Sequence, residues 1–352
     1  MPHATATISH RALKANVAWF QQQTNATIIA MIKGNAYGHG LMNVASAIGT
    51  EVDFLGVAHI QEGIALRQAH ITTPILIFSG FMRPDQADLL KQYDLTPIIY
   101  QTKQYHWLTH PPSAGFWLKV NTGMNRLGLT SEAFEQLYQN IQQQQPMTDC
   151  HALTHLAQAE IPDDPFTQQQ LQRFYHLTAG KNLKYISACN SAGVINRYHQ
   201  HHDWLNTIRP GIGLYGANTL GAPLHPVMHL TSHIIDYYPI QTGQTVGYNR
   251  TFQATKPRMI ALVAIGYGDG YPRNIQPNTP VLIDGHLCPI IGRVSMDMLQ
   301  VDITDIAQHI TIGTSVTLWG PKLPADTIAT AANTIPHDLL NGVNQRVDRH
   351  DQ

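Results

Sequence analysis

A single lysine, Lys33, stands where a buried strand is expected to end. The apolar run 27–32 precedes it, and the turn-forming pair Gly34-Asn35 follows it. An amine at such a position is shielded from water, which lowers its pKa and leaves the neutral form that can form a Schiff base with a carbonyl group. A surface lysine that extends its amine into water is the alternative interpretation for this residue alone. The chemistry open to Lys33 therefore depends on which residues lie beside it.

Further polar side chains follow later apolar runs at the same position, close to the end of each run. They are Lys119, His155, Asn190, Ser191 and Arg209. If the runs are parallel strands of one barrel, these side chains share a rim with Lys33, because barrel enzymes carry their sites at the carboxyl ends of the strands. Each residue could have a structural role by itself, but the whole set at one rim favours a common site.

Small residues surround the last two of these strand ends. The segments read Asn190-Ser191-Ala192-Gly193 and Arg209-Pro210-Gly211-Ile212-Gly213. Such residues let backbone N–H groups approach an anion, and a serine hydroxyl adds a hydrogen bond. Barrels often hold a phosphate after strands 7 and 8. A phosphate opposite a lysine on the first strand favours pyridoxal 5′-phosphate as cofactor.

The elements that must position these residues alternate regularly along the chain. Strand-like apolar runs end near residues 33, 58, 79, 100, 121, 156, 190 and 209. Helical periodicity is clearest over 61–69, 84–93, 131–145 and 166–178. Eight strand–helix units predict a (β/α)8 barrel of the TIM type. A doubly wound sheet would alternate too, but its usual nucleotide-binding glycine signature is missing from the first turn.

The pattern changes after about residue 226, where short β-rich segments replace the alternation. These segments cover 232–238, 259–267, 280–288 and 315–319, and Asp284-Gly285 is a hairpin signal. We predict a barrel domain over 1–226 and a mostly β domain over 227–352. Residues 1–8 are expected to add a strand to the second domain.

Charge and cysteine content limit the partners and the compartment. The net charge of −1 provides no basic field for nucleic acid or an anionic membrane, and no apolar run is long enough to span a bilayer. Three widely spaced cysteines argue against a disulfide framework, and the first residues lack a signal-peptide pattern. We expect a cytoplasmic protein. No metal site is expected, because the histidine-rich segment 199–203 lacks zinc-ligand spacing.

Seven short segments are distributed over nearly the whole chain. The two longest are KGNAYGHG at 33–40 and KVNTGMNRLG at 119–128, and the others lie at 190–192, 209–212, 246–248, 266–272 and 292–297. Together, and in this order, they resemble the alanine racemase family of fold-type III pyridoxal-phosphate enzymes.

The resemblance implies an isomerase that interconverts L-alanine and D-alanine and so supplies D-alanine for peptidoglycan. Lys33 would hold the cofactor and act as one base at Cα. Tyr248 would be the second base and would come from the partner subunit, which implies a homodimer with shared active sites. A lysine and a tyrosine on opposite sides suit racemisation, because the reaction needs a proton donor and acceptor on each face of Cα.

The resemblance also assigns roles to the remaining residues. Arg209 would face the pyridine nitrogen, and since an arginine can only donate hydrogen bonds, the ring would stay unprotonated and transamination would be suppressed. Cofactor contacts would come from Tyr37, His155, Asn190, Ser191, the amides of Gly211 and Ile212, and His337. Arg126 and the Met296 amide would bind the substrate carboxylate, and Tyr267 and Asp297 would line the entrance.

Two positions depart from the family pattern. Asn121 replaces the aspartate expected two residues after Lys119, a family lysine that often carries a CO2 adduct. Lys119 is therefore either carbamylated or an amine beside a small bound anion. His337 replaces a family tyrosine that contacts the phosphate and narrows the entrance. Because the charge of a histidine varies near neutral pH, an altered entrance or pH dependence is expected.

Three alternatives stay open at this point. A serine-directed or broad-specificity racemase would share the fold and most of the motifs. A decarboxylase of the same fold type would lack the role of Arg209 and is usually longer. A non-catalytic pyridoxal-phosphate carrier is typically a single barrel without the β domain and Tyr248.

Overall fold

Eight parallel strands close into a barrel in the computed structural model, which describes residues 4–352. The strands are Thr27–Met31, Phe54–Val57, Ile75–Ile77, Leu95–Ile99, Phe116–Lys119, Cys150–Leu153, Tyr185–Asn190 and Thr207–Arg209. They pair in chain order, and the first strand closes the barrel against the last. The predicted (β/α)8 barrel is confirmed, and every strand ends within three residues of its expected position.

Helices surround the barrel, and several of them begin at residues whose side chains accept hydrogen bonds from free backbone amides. Thr130 Oγ1 accepts from the Ala133 amide at 3.2 Å, and an Asp164 carboxylate oxygen accepts from the Thr167 amide at 2.7 Å. The helices of this part are His10–Gln23, Lys33–Tyr37, Leu41–Ile48, Ile60–Gln68, Gln86–Gln92, Thr102–Trp107, Ser131–Gln144, Pro165–Thr178 and Ser191–Ile195. The four predicted helices all form, with ends within two residues of expectation.

An aromatic layer fills the barrel near the amino ends of its strands. Phe54, Trp117, His151 and Tyr185 meet there, with ring centroids 5.6 Å apart for Phe54 and Trp117 and 4.6 Å apart for Trp117 and His151. Tyr185 completes the layer 4.9 Å from His151. The barrel is therefore a packed core at this end, and a ligand can enter only from the opposite rim.

The buried His151 predicts a loss of stability in acid. Burial lowers its pKa from 6.5 to about 4. Because the folded pKa lies below the unfolded one, unfolded chains bind the proton first, and stability present above pH 6.5 is lost as the pH falls toward 4. Full titration corresponds to roughly 3 kcal/mol at 1.36 kcal/mol per pKa unit. Urea unfolding across this range should show a shallower pH dependence for His151→Met than for the parent, and equal slopes would contradict the prediction.

The second part of the chain is built on one eight-stranded sheet. Its strand order is Arg258–Val263, Leu299–Asp302, His286–Ile291, Pro280–Ile283, Ser315–Trp319, Met228–Ile240, Ala4–Ile8 and Asp348–Asp351. A separate hairpin pairs Thr245–Val246 with Phe252–Gln253. The turn at Asp284 and Gly285 has positive φ at both residues, as a tight hairpin requires. Ala4–Ile8 joins this sheet, while residues 1–3 of the expected strand lie outside the described residues.

Two features of the sheet domain differ from the expectation. The strand expected over 259–267 ends at Val263, and Tyr267–Asp269 forms a short 3-10 helix. Two helices, Ala325–Ala331 and Pro336–Gly342, were not predicted at all. The second begins with proline, which suits the first helical position, and it carries His337 to the barrel rim.

Membrane-spanning helices and metal-binding clusters are both missing from residues 4–352. No helix among them is both long and apolar enough to cross a membrane. No group of three His, Cys, Asp or Glu side chains in the same range could hold a metal ion. Cys150, Cys189 and Cys288 are buried and free.

Candidate active site

A cavity of about 610 Å³ opens at the carboxyl rim of the barrel. Eleven of the residues singled out in the sequence line it: Lys33, Tyr37, Lys119, Arg126, His155, Asn190, Ser191, Arg209, Gly211, Ile212 and His337. Tyr248, Tyr267, Met296 and Asp297 are not among its described lining residues. One chain thus brings together the barrel residues and His337, but not the other residues of the sheet domain.

Lys33 begins one turn of left-handed helix. Residues 34–37 all have φ between 52° and 63°. This conformation costs about 1–2 kcal/mol for each residue other than glycine, so the surroundings must hold it. A Glu62 carboxylate oxygen accepts from the Gly34 amide at 2.8 Å, and Asn35 Oδ1 accepts from the Leu41 amide at 2.8 Å. We call residues 33–38 the Lys33 turn.

Helix Pro336–Gly342 packs directly on the Lys33 turn. A Cβ atom at Gly38 would lie 2.1 Å from the Leu340 carbonyl oxygen, and one at Gly34 would lie 2.7 Å from Asn341 Oδ1. Both glycines also have positive φ. They are therefore required by the close approach of the helix as well as by the backbone conformation.

The positively charged side chains of Arg126 and Arg209 lie near the Lys33 amine. Burial lowers the pKa of Lys33 first, and Arg126 and Arg209 lower it further while Glu62 opposes them. Lys33 nevertheless keeps solvent-accessible surface in the open cavity. The pKa of Lys119 is lowered to about 8, mainly by burial and then by the charge of Arg209. Among the described lining residues Glu160 is the one carboxylate, so the cavity suits an anionic ligand.

Ser191 is built to donate a hydrogen bond into the cavity. Its Oγ accepts from the amides of Gly211 at 2.8 Å and Gly213 at 3.1 Å. Since both acceptor positions are used, the hydroxyl proton must be donated elsewhere. The Gly211 amide is thus paired with this hydroxyl, and its direct contact with a phosphate stays a prediction. Ile212 begins a 3-10 helix, so its amide has no partner within that helix.

Gly211 also leaves room for a neighbouring side chain. A Cβ atom there would lie 2.5 Å from Tyr37 Oη. Burial raises the pKa of Tyr37 to about 12, so its hydroxyl keeps its proton and can donate it. Tyr37 and Ser191 thus provide two hydroxyl donors at one end of the cavity.

Arg209 is 3% exposed and is fixed by oxygen acceptors on neighbouring strands. It donates to Ser187 Oγ and the Thr154 carbonyl, each at 2.5 Å, and to the Ala188 carbonyl at 3.3 Å. Burial lowers its pKa to about 10, so it remains a cation at neutral pH. Its Nη2 lies 3.4 Å from His155 Nδ1, and burial followed by Arg209 lowers the pKa of His155 well below 6.5. His155 is therefore neutral.

We use the name tyrosine patch for four exposed residues of the sheet domain: Tyr248, Tyr267, Met296 and Asp297. Tyr248 is 64% exposed, and the other three are exposed too. The Tyr267 amide donates to the Ser295 carbonyl at 3.1 Å, which holds the loop of Tyr267 against that of Met296. The four residues of the patch thus lie outside the described lining of the cavity of their own chain.

Comparison with known proteins agrees with this geometry. The protein-family model of the alanine racemase N-terminal domain matches residues 8–219, and the family model of the C-terminal domain matches residues 227–351. The chain belongs to the alanine racemase family.

Curated alanine racemases resemble this chain over nearly its whole length. That of Shewanella woodyi is 38% identical and that of Xylella fastidiosa 37% identical, and the alignments cover 98% and 99% of this chain and 98% and 96% of the relatives. The crystal structure of biosynthetic alanine racemase from Pseudomonas aeruginosa is similar with a TM-score of 0.94 and 32% identity, covering 100% of both chains. Alanine racemase from Bartonella henselae, solved with covalently bound pyridoxal phosphate, has a TM-score of 0.90 and 29% identity, covering 99% of both chains.

The first departure from the alanine racemase pattern, Asn121, shapes the loop that carries Arg126. Asn121 Oδ1 accepts from the amides of Gly123 at 3.1 Å and Asn125 at 3.0 Å. Its Nδ2 donates to Asn125 Oδ1 at 3.0 Å. An aspartate carboxylate could not donate this last bond. Asn121 therefore removes a negative charge from the loop and adds a hydrogen bond within it.

The second departure from the alanine racemase pattern, His337, has a buried Nδ1 atom without a hydrogen-bond partner among the described residues. Its ring lies 5.9 Å from that of Tyr37. Burial lowers its pKa first, Lys33 lowers it further, and Glu160 and Asp326 oppose the shift. Buried polar atoms are normally paired, so this nitrogen can still donate or accept one hydrogen bond.

The cavity lining also contains residues that the sequence of this alanine racemase-family chain did not indicate, among them Glu160 and Asn341. Glu160 lies five residues after His155, on the loop that follows the same strand, and the rim argument could have included it. Asn341 lies one helical turn after His337, where recognition of helix Pro336–Gly342 would have placed it.

Proposed function

We propose that this chain interconverts L-alanine and D-alanine with pyridoxal 5′-phosphate, as an isomerase. The observation that carries the proposal is a lysine with a lowered pKa in the same cavity as two hydroxyl donors and the buried cation Arg209. Membership of the alanine racemase family and a relative with covalently bound pyridoxal phosphate support it.

The cavity fits this cofactor by charge and by shape. Lys33 would bind the aldehyde carbon, and Ser191 and Tyr37 would hold the phosphate together with the Ile212 amide. His337 Nδ1, which is buried and unpartnered, supplies a further donor or acceptor at the Tyr37 end. His155 and Asn190 would contact the ring. When bound, the cofactor withdraws electrons from the Cα–H bond of the substrate.

Arg209 limits the reaction to proton exchange at Cα. Its fixed guanidinium remains charged and carries donors only, so it can supply no carboxylate to stabilise a protonated ring nitrogen. Hydrogen bonds to Ser187, Thr154 and Ala188 also fix the position of Arg209. Reprotonation at Cα is thereby favoured over transamination.

Substrate binding and proton transfer use the remaining cations. Arg126 lines the cavity beside Lys33 and would bind the substrate carboxylate, together with the Met296 amide. Lys33 holds and returns the proton on one face of Cα, since its lowered pKa makes the neutral amine available.

The second base would come from the partner subunit of a homodimer. Lys33 serves one face of the substrate Cα. The tyrosine patch, which includes Tyr248, is exposed on the surface and lies outside the cavity of its own chain. A symmetric dimer can place the patch of each chain over the cavity of the other, so that Tyr248 serves the opposite face and Tyr267 and Asp297 line the entrance.

Lys119 is the best candidate for carbamylation. A pKa of about 8 makes the neutral amine, which CO2 requires, more abundant than in an exposed lysine. A carbamate would also offset the charges of Arg126 and Arg209. A ¹³C carbamate NMR signal from protein in labelled bicarbonate, lost in Lys119→Met, is expected. A spectrum without it would leave a small bound anion as the alternative.

His337 is expected to make cofactor binding depend on pH. Its charged neighbours Lys33, Glu160 and Asp326 and the adjacent Tyr37 all face it, and a phosphate would raise its pKa from the lowered value of the free protein. Protonation then strengthens binding as the pH falls. His337→Tyr should bind pyridoxal phosphate with a flatter pH profile in equilibrium dialysis. Identical profiles would contradict this role.

The proposed reaction is tested by incubating L-alanine with the protein and pyridoxal phosphate in deuterated water. Chiral chromatography with mass detection should show D-alanine that carries deuterium at Cα. Cofactor absorbance without D-alanine would contradict alanine racemisation. A panel of other amino acids would then separate a serine or broad-specificity racemase from a non-catalytic carrier.

We place the reaction in the cytoplasm, where D-alanine is made for peptidoglycan. The three free, buried cysteines suit a reducing compartment. Expression in a bacterium that requires D-alanine should restore growth without it, and failure of the active protein to do so would contradict this role.

A further inference from the structure

Arg349 joins the sheet domain to the Lys33 turn. It lies in the strand Asp348–Asp351, and its Nε donates to the Gly38 carbonyl at 2.9 Å. Its other nitrogens donate to the carbonyls of Val343 at 2.6 Å, Asn344 at 3.2 Å and Val347 at 3.4 Å. One guanidinium thus binds four carbonyl groups from two distant parts of the chain.

The bond to Gly38 acts on a strained segment. Gly38 ends the Lys33 turn, and its amide donates to the Gly34 carbonyl at 3.0 Å, which closes the turn. The barrel contributes the Glu62 bond to the Gly34 amide and the His39 Nδ1 contact with the Tyr37 carbonyl at 2.9 Å, and helix Pro336–Gly342 packs on the turn from the sheet domain. Arg349 restrains the same turn from the sheet domain.

A lysine could make only part of this set of contacts. The planar guanidinium reaches acceptors in several directions, whereas a lysine offers a single ammonium group. Burial lowers the pKa of Arg349, and the carbonyl dipoles surround its charge. His39, whose pKa burial lowers to about 4, lies nearby in the neutral form and adds no competing charge.

We propose that Arg349 is a positioning residue for the reaction: it fixes the Gly38 carbonyl and thereby the places of Lys33 and Tyr37 in the cavity. This inference rests on the function proposed above. Arg349 itself is not among the described lining residues of the cavity, so its effect on the cofactor passes through the turn.

The chain offers a matched control in Arg67. Its nitrogens also donate to four carbonyls, those of Tyr93 at 3.1 Å, Ile71 at 2.6 Å, Thr73 at 2.8 Å and Asp94 at 3.0 Å. Burial lowers its pKa too. These carbonyls precede the barrel strands Ile75–Ile77 and Leu95–Ile99, so Arg67 lies at the end of the barrel opposite the cavity.

The test compares Arg349→Met with Arg67→Met. Urea unfolding should show that both variants lose stability. Equilibrium dialysis with pyridoxal 5′-phosphate should show at least tenfold weaker binding for Arg349→Met only. The absorbance of the lysine-bound cofactor should also change its pH midpoint in that variant alone. Arg349→Lys should recover part of the affinity, since it keeps the charge and one donor group.

Equal cofactor affinity and equal pH midpoints in the two methionine variants would overturn the inference and leave Arg349 with a structural role. If Arg349→Met does not fold, the pair Arg349→Lys and Arg67→Lys decides the question by the same measurements. A parent protein that binds no pyridoxal phosphate would instead overturn the proposed function, so the two failures are distinguishable.

Discussion

Lys33→Ala is expected to abolish racemisation of alanine, with a loss in kcat/KM of about 10³-fold or more. The substitution removes the amine that binds the cofactor and the base on one face of Cα, and a general base alone contributes about 10²–10⁴-fold. Lys33 keeps accessible surface in an open cavity, so its loss should leave the fold intact. Chiral chromatography of D-alanine measures the effect.

The control for Lys33→Ala is Lys184→Ala. Lys184 is exposed and forms a salt bridge with Asp149 at 2.6 Å, away from the cavity lining. Its replacement should leave activity unchanged, because exposed ion pairs contribute little. Racemisation by Lys33→Ala at the rate of the parent would show that another residue carries the chemistry.

Mixing two inactive variants is expected to restore about a quarter of the parent activity. Lys33→Ala and Tyr248→Phe each lack one base. In a mixed dimer, one of the two sites receives Lys33 from one chain and Tyr248 from the other, and the second site receives neither. Random exchange makes half of the dimers mixed, and half of their sites are intact. Activity is measured after the variants are unfolded and refolded together.

Refolding either variant alone provides the control and should restore nothing. Activity of Tyr248→Phe near that of the parent would show that the exposed tyrosine is not the second base. Failure of the mixture, with both single variants inactive and dimeric, would show that the two residues serve the same chain. The outcome thus separates a shared site from a site completed within one chain.

The sequence predicted the barrel and most of its rim because both depend on local patterns. Apolar runs determine where strands end, and parallel strands place those ends on one side. The pattern of strand ends is therefore sufficient to assign Lys119, Asn190 and Arg209 to one cavity. His151 and Tyr185 could not be assigned to the layer beneath it, because aromatic packing across a barrel depends on register.

Contacts between segments that are distant in the chain could not be predicted from the sequence. Helix Pro336–Gly342 is short, and its role against Gly34 and Gly38 depends on a close approach that spacing does not show. The left-handed conformation was signalled only by Gly34 and Asn35, whereas Ala36 and Tyr37 adopt it against their own preference. The exposure of Tyr248 likewise required the structure, because a strand aromatic and a surface base look alike in sequence.

The bond between Arg349 and Gly38 has a consequence for protein synthesis. The two residues are 311 positions apart. At 5–20 residues per second, a ribosome needs on the order of 15–60 s after making the Lys33 turn before it makes the arginine that restrains it. The barrel can form during this interval, but its left-handed turn lacks one of its restraints. We therefore expect nascent chains to acquire cofactor affinity late, when the strand Asp348–Asp351 leaves the ribosomal tunnel.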